Sequence, residues 1–377
     1  MKIGIVSPYY IDRFGGVQSH IIATRNELIK RGHEVKIIAP KARKAGGNQE
    51  KAHVISIGTS AEIKFKSFAT TFPVAMSVNP KEIDTLLEAE KFDILHVHEP
   101  YMIMLPYQIV QKAKCPVVGT LHANKPDSLV NKSVGRAARG YFKTAATKID
   151  TLTAVSTEAG RFALKGVDKQ VRIVPNGIEL KSYNRLRSTY SKSATKELKT
   201  IVYIGRLEKR KGAIYLLKAF QALQADRDNI ALIIAGSGPN AKSLKDYARR
   251  NKLQNVQFVG HVSEAEKKSL LKSADVYCSP ALYGESFGIV LLEAMAMGAV
   301  TVAGDNPGYS SVMSGRGRLS LIDPLSTNDF KNRLDLMLFD QEIRRLWLDW
   351  AKEYVQQFDY SVVTDKYEEI YKELIDA

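Results

Sequence analysis

Two carboxylates, Glu285 and Glu293, lie within residues 284–298, where every other residue is apolar, small or Ser286. A carboxylate in such a water-poor stretch is costly unless something polar meets it. Eight positions on one helix turn through about 80° beyond two full turns, so the pair does not stack on one helical face. The spacing is met by Glu285 in a glycine-flanked loop and Glu293 two turns into the following helix, both edging one cleft. The helix start at Ser286, Phe287, Gly288 and Ile289 then offers N–H groups and partial positive charge to a phosphate or to sugar hydroxyls. Taken alone, the segment also fits a core helix with one satisfied Glu.

Cations stand at the matching turn upstream, Gly205-Arg206-Leu207-Glu208-Lys209-Arg210-Lys211-Gly212. Arg206 ends a strand and Lys211 sits beside the glycine that opens the next helix. A guanidinium and an ammonium converging on a diphosphate would stabilise charge growing on a leaving group. Phe14-Gly15-Gly16-Val17-Gln18-Ser19-His20 follows the first strand, and its paired glycines let backbone approach a phosphate. Two further turns, Gly236-Ser237-Gly238 and Gly260-His261-Val262, carry weaker signals of the same kind. His122 ends the strand Val117–Leu121 where a ligand commonly sits, although a lone histidine also serves as a satisfied core group. His96 and His98 are expected on opposite faces of their strand, which argues against a metal site there. No Ser–His–Asp set, Cys nucleophile, H-E-x-x-H or Walker lysine motif is present.

These residues need elements to hold them. The chain has 377 residues, 45% hydrophobic and 25% charged, which suits two domains rather than one core. Short apolar runs at 2–7, 35–39, 53–57, 94–97, 117–121, 151–155 and 171–174 alternate with helical stretches such as 17–31 and 81–90. The pattern restarts after a polar linker, residues 181–199, with strands at 200–205, 230–235, 256–259, 275–278 and 299–303. Helices at 212–225, 239–251, 263–273 and 287–297 separate them. The expected architecture is α/β, two Rossmann-like doubly wound domains facing an interdomain cleft, with ligands at strand carboxyl ends. Residues 1–180 form the first domain, 199–358 the second, and 359–377 an amphipathic helix crossing back to the first. Two cysteines give no disulfide framework. With a strand opening directly at Lys2, a cytoplasmic location is expected.

Charge is uneven. Residues 1–187 hold 29 Lys+Arg against 16 Asp+Glu, whereas 188–377 hold 26 against 24. The basic half points to an anionic partner, and the absence of an RNP-like aromatic pair or zinc spacing disfavours nucleic acid. Lys64-Phe65-Lys66-Ser67-Phe68, running on to Phe72–Met76, interleaves cations with apolar side chains, as an anionic membrane interface or a loop over the cleft would require.

The run Ala274–Gly298 resembles the E-x7-E motif of retaining glycosyltransferases of the GT-B fold, family 4. With Gly15–His20, His96-Val97-His98-Glu99-Pro100 and Asp359–Val363, the chain is similar to the phosphatidylinositol mannosyltransferases of that family. The resemblance implies transfer of a sugar, mannose from GDP-mannose, to a lipid such as phosphatidylinositol at the inner face of the cell membrane. It implies no tightly bound cofactor and a divalent metal at most as a stimulant. Carried onto this chain, Arg206 and Lys211 bind the donor diphosphate with Gly16. Glu285 and the amides of Ser286, Phe287, Gly288 and Ile289 hold the sugar, Glu293 the ribose, and Gly236 and Val262 flank the nucleotide. His122 contacts the transferred sugar, with His98 and Glu99 in support. Tyr9 and Asp12 approach the inositol, and Lys64 and Lys66 stand where that family is expected to offer an Arg. Lysine supplies charge there without a bidentate fork, and the residues after His122 (Ala-Asn-Lys) also differ from the family's Ser/Thr-rich run. A family 4 enzyme using a UDP-sugar, a GT-B sugar-nucleotide epimerase and a non-catalytic membrane-binding protein are the alternative readings.

Overall fold

A computed structural model of the protein describes residues 1–11, 15–41, 53–65, 70–102, 105–122, 143–164, 169–184 and 198–377. The chain divides into two units, Met1–Gly177 with Tyr360–Ala377, and Ile178–Asp359.

In the first unit the strands are β1 (Lys2–Val6), β2 (Glu34–Pro40), β3 (Val54–Ile57), β4 (Thr59–Phe65), β5 (Thr70–Ser77), β6 (Ile94–His98), β7 (Val117–Leu121), β8 (Thr151–Ala154) and β9 (Val171–Ile173). Seven of them form a parallel sheet in the order β3-β2-β1-β6-β7-β8-β9. β6 and β7 are buried at every position, as parallel strands covered on both faces must be. The order reverses between β1 and β6, which opens a crevice at their carboxyl ends.

The second unit repeats the design with β10 (Lys199–Ile204), β11 (Ile230–Ala235), β12 (Val256–Gly260), β13 (Val276–Ser279), β14 (Val300–Gly304) and β15 (Leu321–Ile322). Their order is β12-β11-β10-β13-β14-β15, again parallel, with the reversal between β10 and β13. The loops after these two strands, 205–212 and 280–288, hold Arg206, Lys211 and Glu285. The GT-B class of fold is thus present as two Rossmann-like sheets.

Local signals place the helix starts. Ser263 and Glu266 form a reciprocal capping box at Glu264–Ser273. Asn79 and Asn306 cap helices that begin with proline. All twelve strands expected from sequence lie within one residue of those observed at each end. Several elements went unassigned, among them a hairpin and two helices. β4 and β5 pair antiparallel from Thr59↔Ser77 to Phe65↔Thr70, across the stretch read as an interfacial or covering loop. Helices Thr327–Phe339 and Gln341–Tyr354 bury Phe330, Leu334 and Trp347. Their apolar positions recur at helical spacing, Phe330, Leu334 and Met337 in one and Ile343, Trp347, Trp350 and Tyr354 in the other, so the pattern for both is present in the sequence.

The C-terminal helix Tyr360–Ile375 belongs to the first unit. Val363, Tyr367, Ile370 and Tyr371 join Ile3, Ile5, Ile21, Leu28 and Ile94 in one core. Arg31 fastens the outer face, 2.7 Å from Asp365 and 2.8 Å from Glu368, and donates to the Ser361 carbonyl at 2.6 Å. Among the described residues no helix is long and apolar enough to cross a membrane.

Candidate active site

In the second unit, hydrogen bonds between loops gather the candidate residues at one end of the sheet. Leu207 N–H donates to the Ser237 carbonyl at 2.9 Å, Gly236 N–H to the Gly260 carbonyl at 2.6 Å, and Leu282 N–H to the Arg210 carbonyl at 2.8 Å. The turns carrying Arg206, Gly236, half-buried Val262 and Glu285 are therefore mutually braced. Gly236 is glycine for a backbone reason. Its φ is +141°, and an added Cβ would lie 1.8 Å from the Gly205 carbonyl oxygen. Gly236→Ala is expected to destabilise this unit by about 3 kcal/mol or more, from strain plus overlap with backbone that has nowhere to go. An unshifted urea midpoint for that variant would refute this account of the turn.

The charges form a chain. Arg206 Nη2 lies 2.6 Å from Glu208 Oε1, and Arg210 Nε 3.2 Å from Glu208 Oε2. Arg210 Nη1 and Lys211 Nζ each lie 2.7 Å from Glu285 Oε1. Glu208 is buried, whereas the Arg206 side chain is 44% exposed. The array is supported from below, where buried Tyr203 donates its hydroxyl to the Arg206 carbonyl at 3.0 Å. Burial, then the nearby Glu285 charge, pushes the Tyr203 hydroxyl pKa upward, so it stays a neutral donor. Tyr277 does the same for the Ile204 carbonyl at 3.2 Å. Glu208 and Arg210 were not singled out from sequence. They lie inside the cationic run, but a list of charges does not say which carboxylate bridges which cation.

Glu285 occupies a loop and Glu293 the helix Ile289–Ala296, so they differ in setting. Glu293 is buried, and its Oε1 accepts from Tyr183 Oη at 3.0 Å and from Lys267 Nζ at 2.8 Å. Gly288 caps that helix at φ +117° with no side-chain cap, leaving the first turn to backbone groups. A Cβ there would lie 2.8 Å from the Tyr309 ring. Ile289 is the first helical residue, and Phe287 is buried with its ring edge-on to Phe358, centroids 6.0 Å apart. Ser286 lies between Glu285 and Phe287 in the same loop.

In the first unit, Gly16 begins the helix Gly16–Lys30 after Gly15, which caps it without a side-chain bond. Tyr9 follows β1, its N–H donating to Ser7 Oγ at 3.2 Å. Burial, then the charge of Glu99, raises its hydroxyl pKa. Asp12 and Lys66 lie outside the described residues, and Lys64 lies on β4.

Four histidines converge at the carboxyl ends of β6 and β7. His96 and His98 share a face, with ring centroids 4.3 Å apart. This corrects the expectation of opposite faces, because strand side chains alternate one by one and positions two apart return to the same side. His98 Nδ1 lies 2.7 Å from His122 Nε2, and His20 packs edge-on to both rings at 5.6 and 5.0 Å. The His122 N–H donates to Glu99 Oε1 at 2.8 Å. His96 is held in one tautomer. Thr153 Oγ1 donates to the Gly119 carbonyl at 3.3 Å, so it accepts from Thr120 Oγ1 at 2.6 Å, which in turn accepts from His96 Nε2–H at 2.6 Å. His96 Nδ1 then accepts from Tyr371 Oη at 2.6 Å. Burial drives His20 and His96 down to about 3 and holds His98 and His122 well below the ordinary histidine value. All four are neutral at physiological pH. His20 was missed as a member of this group, since its helix meets the two strand ends only in the folded unit.

Residues 14–182 match Glycosyltransferase Family 4 and residues 188–354 match Glycosyl transferases group 1. The chain is 32% identical over 375 residues to a phosphatidyl-myo-inositol mannosyltransferase of Mycolicibacterium smegmatis, covering 99% of this chain and 94% of that one. It is 26% identical over 336 residues to an alpha-monoglucosyldiacylglycerol synthase of Streptococcus pneumoniae, covering 83% and 73%. Its fold is similar to that of HepE from Anabaena, solved with UDP, at a TM-score of 0.73 and 16% identity over 99% and 100% of the two chains. Two parallel Rossmann-like sheets, a charged array at the second sheet's reversal point and this full-length similarity lead to one assignment: the chain belongs to the family 4 glycosyltransferases of the GT-B fold.

Proposed function

We propose that this glycosyltransferase moves mannose from GDP-mannose to a phosphatidylinositol-type lipid at a membrane surface, with retention of anomeric configuration. The observation that carries the donor side is the chain Arg206–Glu208–Arg210–Glu285–Lys211 at the carboxyl end of β10. Three cations against two carboxylates leave one positive charge, and the adjacent helix start at Ile289 adds to it. A diphosphate entering here exchanges carboxylate partners for phosphate partners, which frees Glu285 to meet sugar hydroxyls. As the anomeric carbon–phosphate oxygen bond breaks, Arg206 and Lys211 take up the growing charge. The acceptor hydroxyl attacks the same face and gives its proton to the departing phosphate oxygen, so no carboxylate nucleophile is needed. His122, neutral and fixed by His98, contacts the transferred sugar. Glu293 serves the ribose, Gly236 and Val262 flank the base, and Gly16 approaches the diphosphate.

The lipid acceptor is supported by two relatives, one named for a lipid acceptor and one for a lipid product, and by the basic character of residues 1–187. Near-surface lysines each add roughly 1 kcal/mol of attraction to anionic bilayers. Tyr9, Asp12, Lys64 and Lys66 are assigned to the acceptor.

A thermal-shift panel of GDP-mannose, UDP-glucose, UDP-N-acetylglucosamine and ADP-glucose tests the donor. GDP-mannose at a hundredfold excess over its Kd is expected to add about 2.7 kcal/mol of stability. Preferential stabilisation by a UDP-sugar would replace mannosyl with another hexosyl transfer. Incubation with phosphatidylinositol vesicles and NMR of the product anomer then tests acceptor and stereochemistry.

A further inference from the structure

We propose that His20, His98 and His122 form a site for one transition-metal ion of the Zn2+ class, and that filling it withdraws His122 from the sugar. The second half of this statement rests on the role given to His122 above. The first stands on geometry alone.

One ring nitrogen from each of the three residues lies within 4.8 Å of the others. Three nitrogens at 2.0–2.1 Å from a tetrahedral ion stand about 3.4 Å apart, so a small closure of the rings suffices. The three come from different elements: the helix Gly16–Lys30, the end of β6, and the residue after β7. Among the described residues, two buried ring nitrogens, His20 Nδ1 and His98 Nε2, have no hydrogen-bond partner. That is unusual for polar atoms in a protein interior, where nearly all such atoms are paired.

Neighbouring groups suit a metal. His20 Nε2 lies 3.3 Å from Tyr367 Oη, the kind of outer contact that orients a ligating imidazole. All three rings are neutral, so no proton must leave a cation before a lone pair is available. With His98 ligating through Nε2, the proton shared with His122 stays on His98 Nδ1, and the hydrogen bond between them opens so that the His122 Nε2 lone pair is available to the ion. Neutral imidazoles favour Zn2+, Co2+, Ni2+ or Cu2+ over Mg2+, which prefers oxygen. His122 is 7% exposed and supplies the way in. His96 is excluded, because Thr120 and Tyr371 occupy both of its nitrogens.

Full-length protein stripped with chelator is titrated with Co2+ and Zn2+, with Mg2+ as control. One equivalent of Co2+ is expected to bind and give the intense visible bands of a tetrahedral ion, which Zn2+ bleaches and Mg2+ does not. His20→Gln is expected to weaken binding at least tenfold. Because that variant could unfold, Tyr367→Phe is measured beside it and is expected to weaken binding severalfold with the fold retained. Sugar transfer by the wild type is expected to fall in step with Zn2+ occupancy. Binding well below one equivalent, a weak octahedral spectrum, or Co2+ bands unchanged in both variants would overturn the site. One-equivalent tetrahedral binding with full transfer would overturn the withdrawal of His122 alone. The optical readout needs no turnover, so failure of the mannosyltransferase reading leaves it intact.

Discussion

Arg206→Ala is expected to lower kcat by 10²–10³ at saturating donor, the range seen when one charge-stabilising donor is lost, about 2.7–4 kcal/mol. The effect should be kinetic rather than structural. Arg206 is 44% exposed, and its partner Glu208, although buried, keeps Arg210 at 3.2 Å. No buried carboxylate is stranded, so the urea midpoint should move little. Arg206→Lys should recover part of the rate, because it restores a point charge without the planar fork. Arg210→Ala offers the contrast. Arg210 lies 2.7 Å from Glu285 as well as near Glu208, so its loss should cost stability as well as rate. Near-normal turnover by Arg206→Ala with donor saturating would remove this residue from the chemistry.

Acidification in chelator-containing buffer is expected to destabilise the first unit well above the range where carboxylates titrate. His20 and His96 have their pKa values lowered to about 3 by burial, against an ordinary 6.5. Between those values the unfolded chain binds protons that the folded one refuses, so stability falls as pH drops. The stabilisation is complete above pH 6.5 and is lost progressively toward pH 3. Each such histidine contributes a slope of about 1.4 kcal/mol per pH unit. From pH 6.5 to 5 the two together cost on the order of 4 kcal/mol, a large part of an ordinary domain's stability. His98 and His122 shift in the same direction. Urea midpoints followed at pH 7.5, 6.5, 5.5 and 5.0 measure this, and a flat profile down to pH 5 would contradict neutral burial of the group.

The strand-to-helix turns show why so much of the second unit was legible. Apolar runs such as Ile230–Ala235 become buried parallel strands because both faces need covering, and Gly205 and Gly236, directly after β10 and β11, mark where backbone turns tightly. Arg206, Lys211 and Glu285 sit at such turns, so their meeting at the end of β10 follows from local sequence plus the rule that a reversed strand order opens a crevice. The hairpin of β4 and β5 was not legible. In β4, Ala61, Ile63 and Phe65 alternate with Ser60, Glu62 and Lys64, but the same interleaving of cations with apolar residues also suits an interfacial or covering loop.

Sequence alone determined the two sheets, the strand ends that carry the charges, and the resemblance that names the family. Each of these depends on residues close together in the chain, where hydrophobic period and turn chemistry act. Tertiary structure alone decided which charges pair: that Glu208 and Glu285 are bridged by Arg210, and that Glu293 turns to Lys267 and Tyr183. It also decided that His20, His96, His98 and His122 share one buried cluster with Tyr367 and Tyr371. Coulomb and hydrogen-bond partners are chosen by distance in space, and distances between a first helix, two strand ends and a last helix exist only after the core has packed.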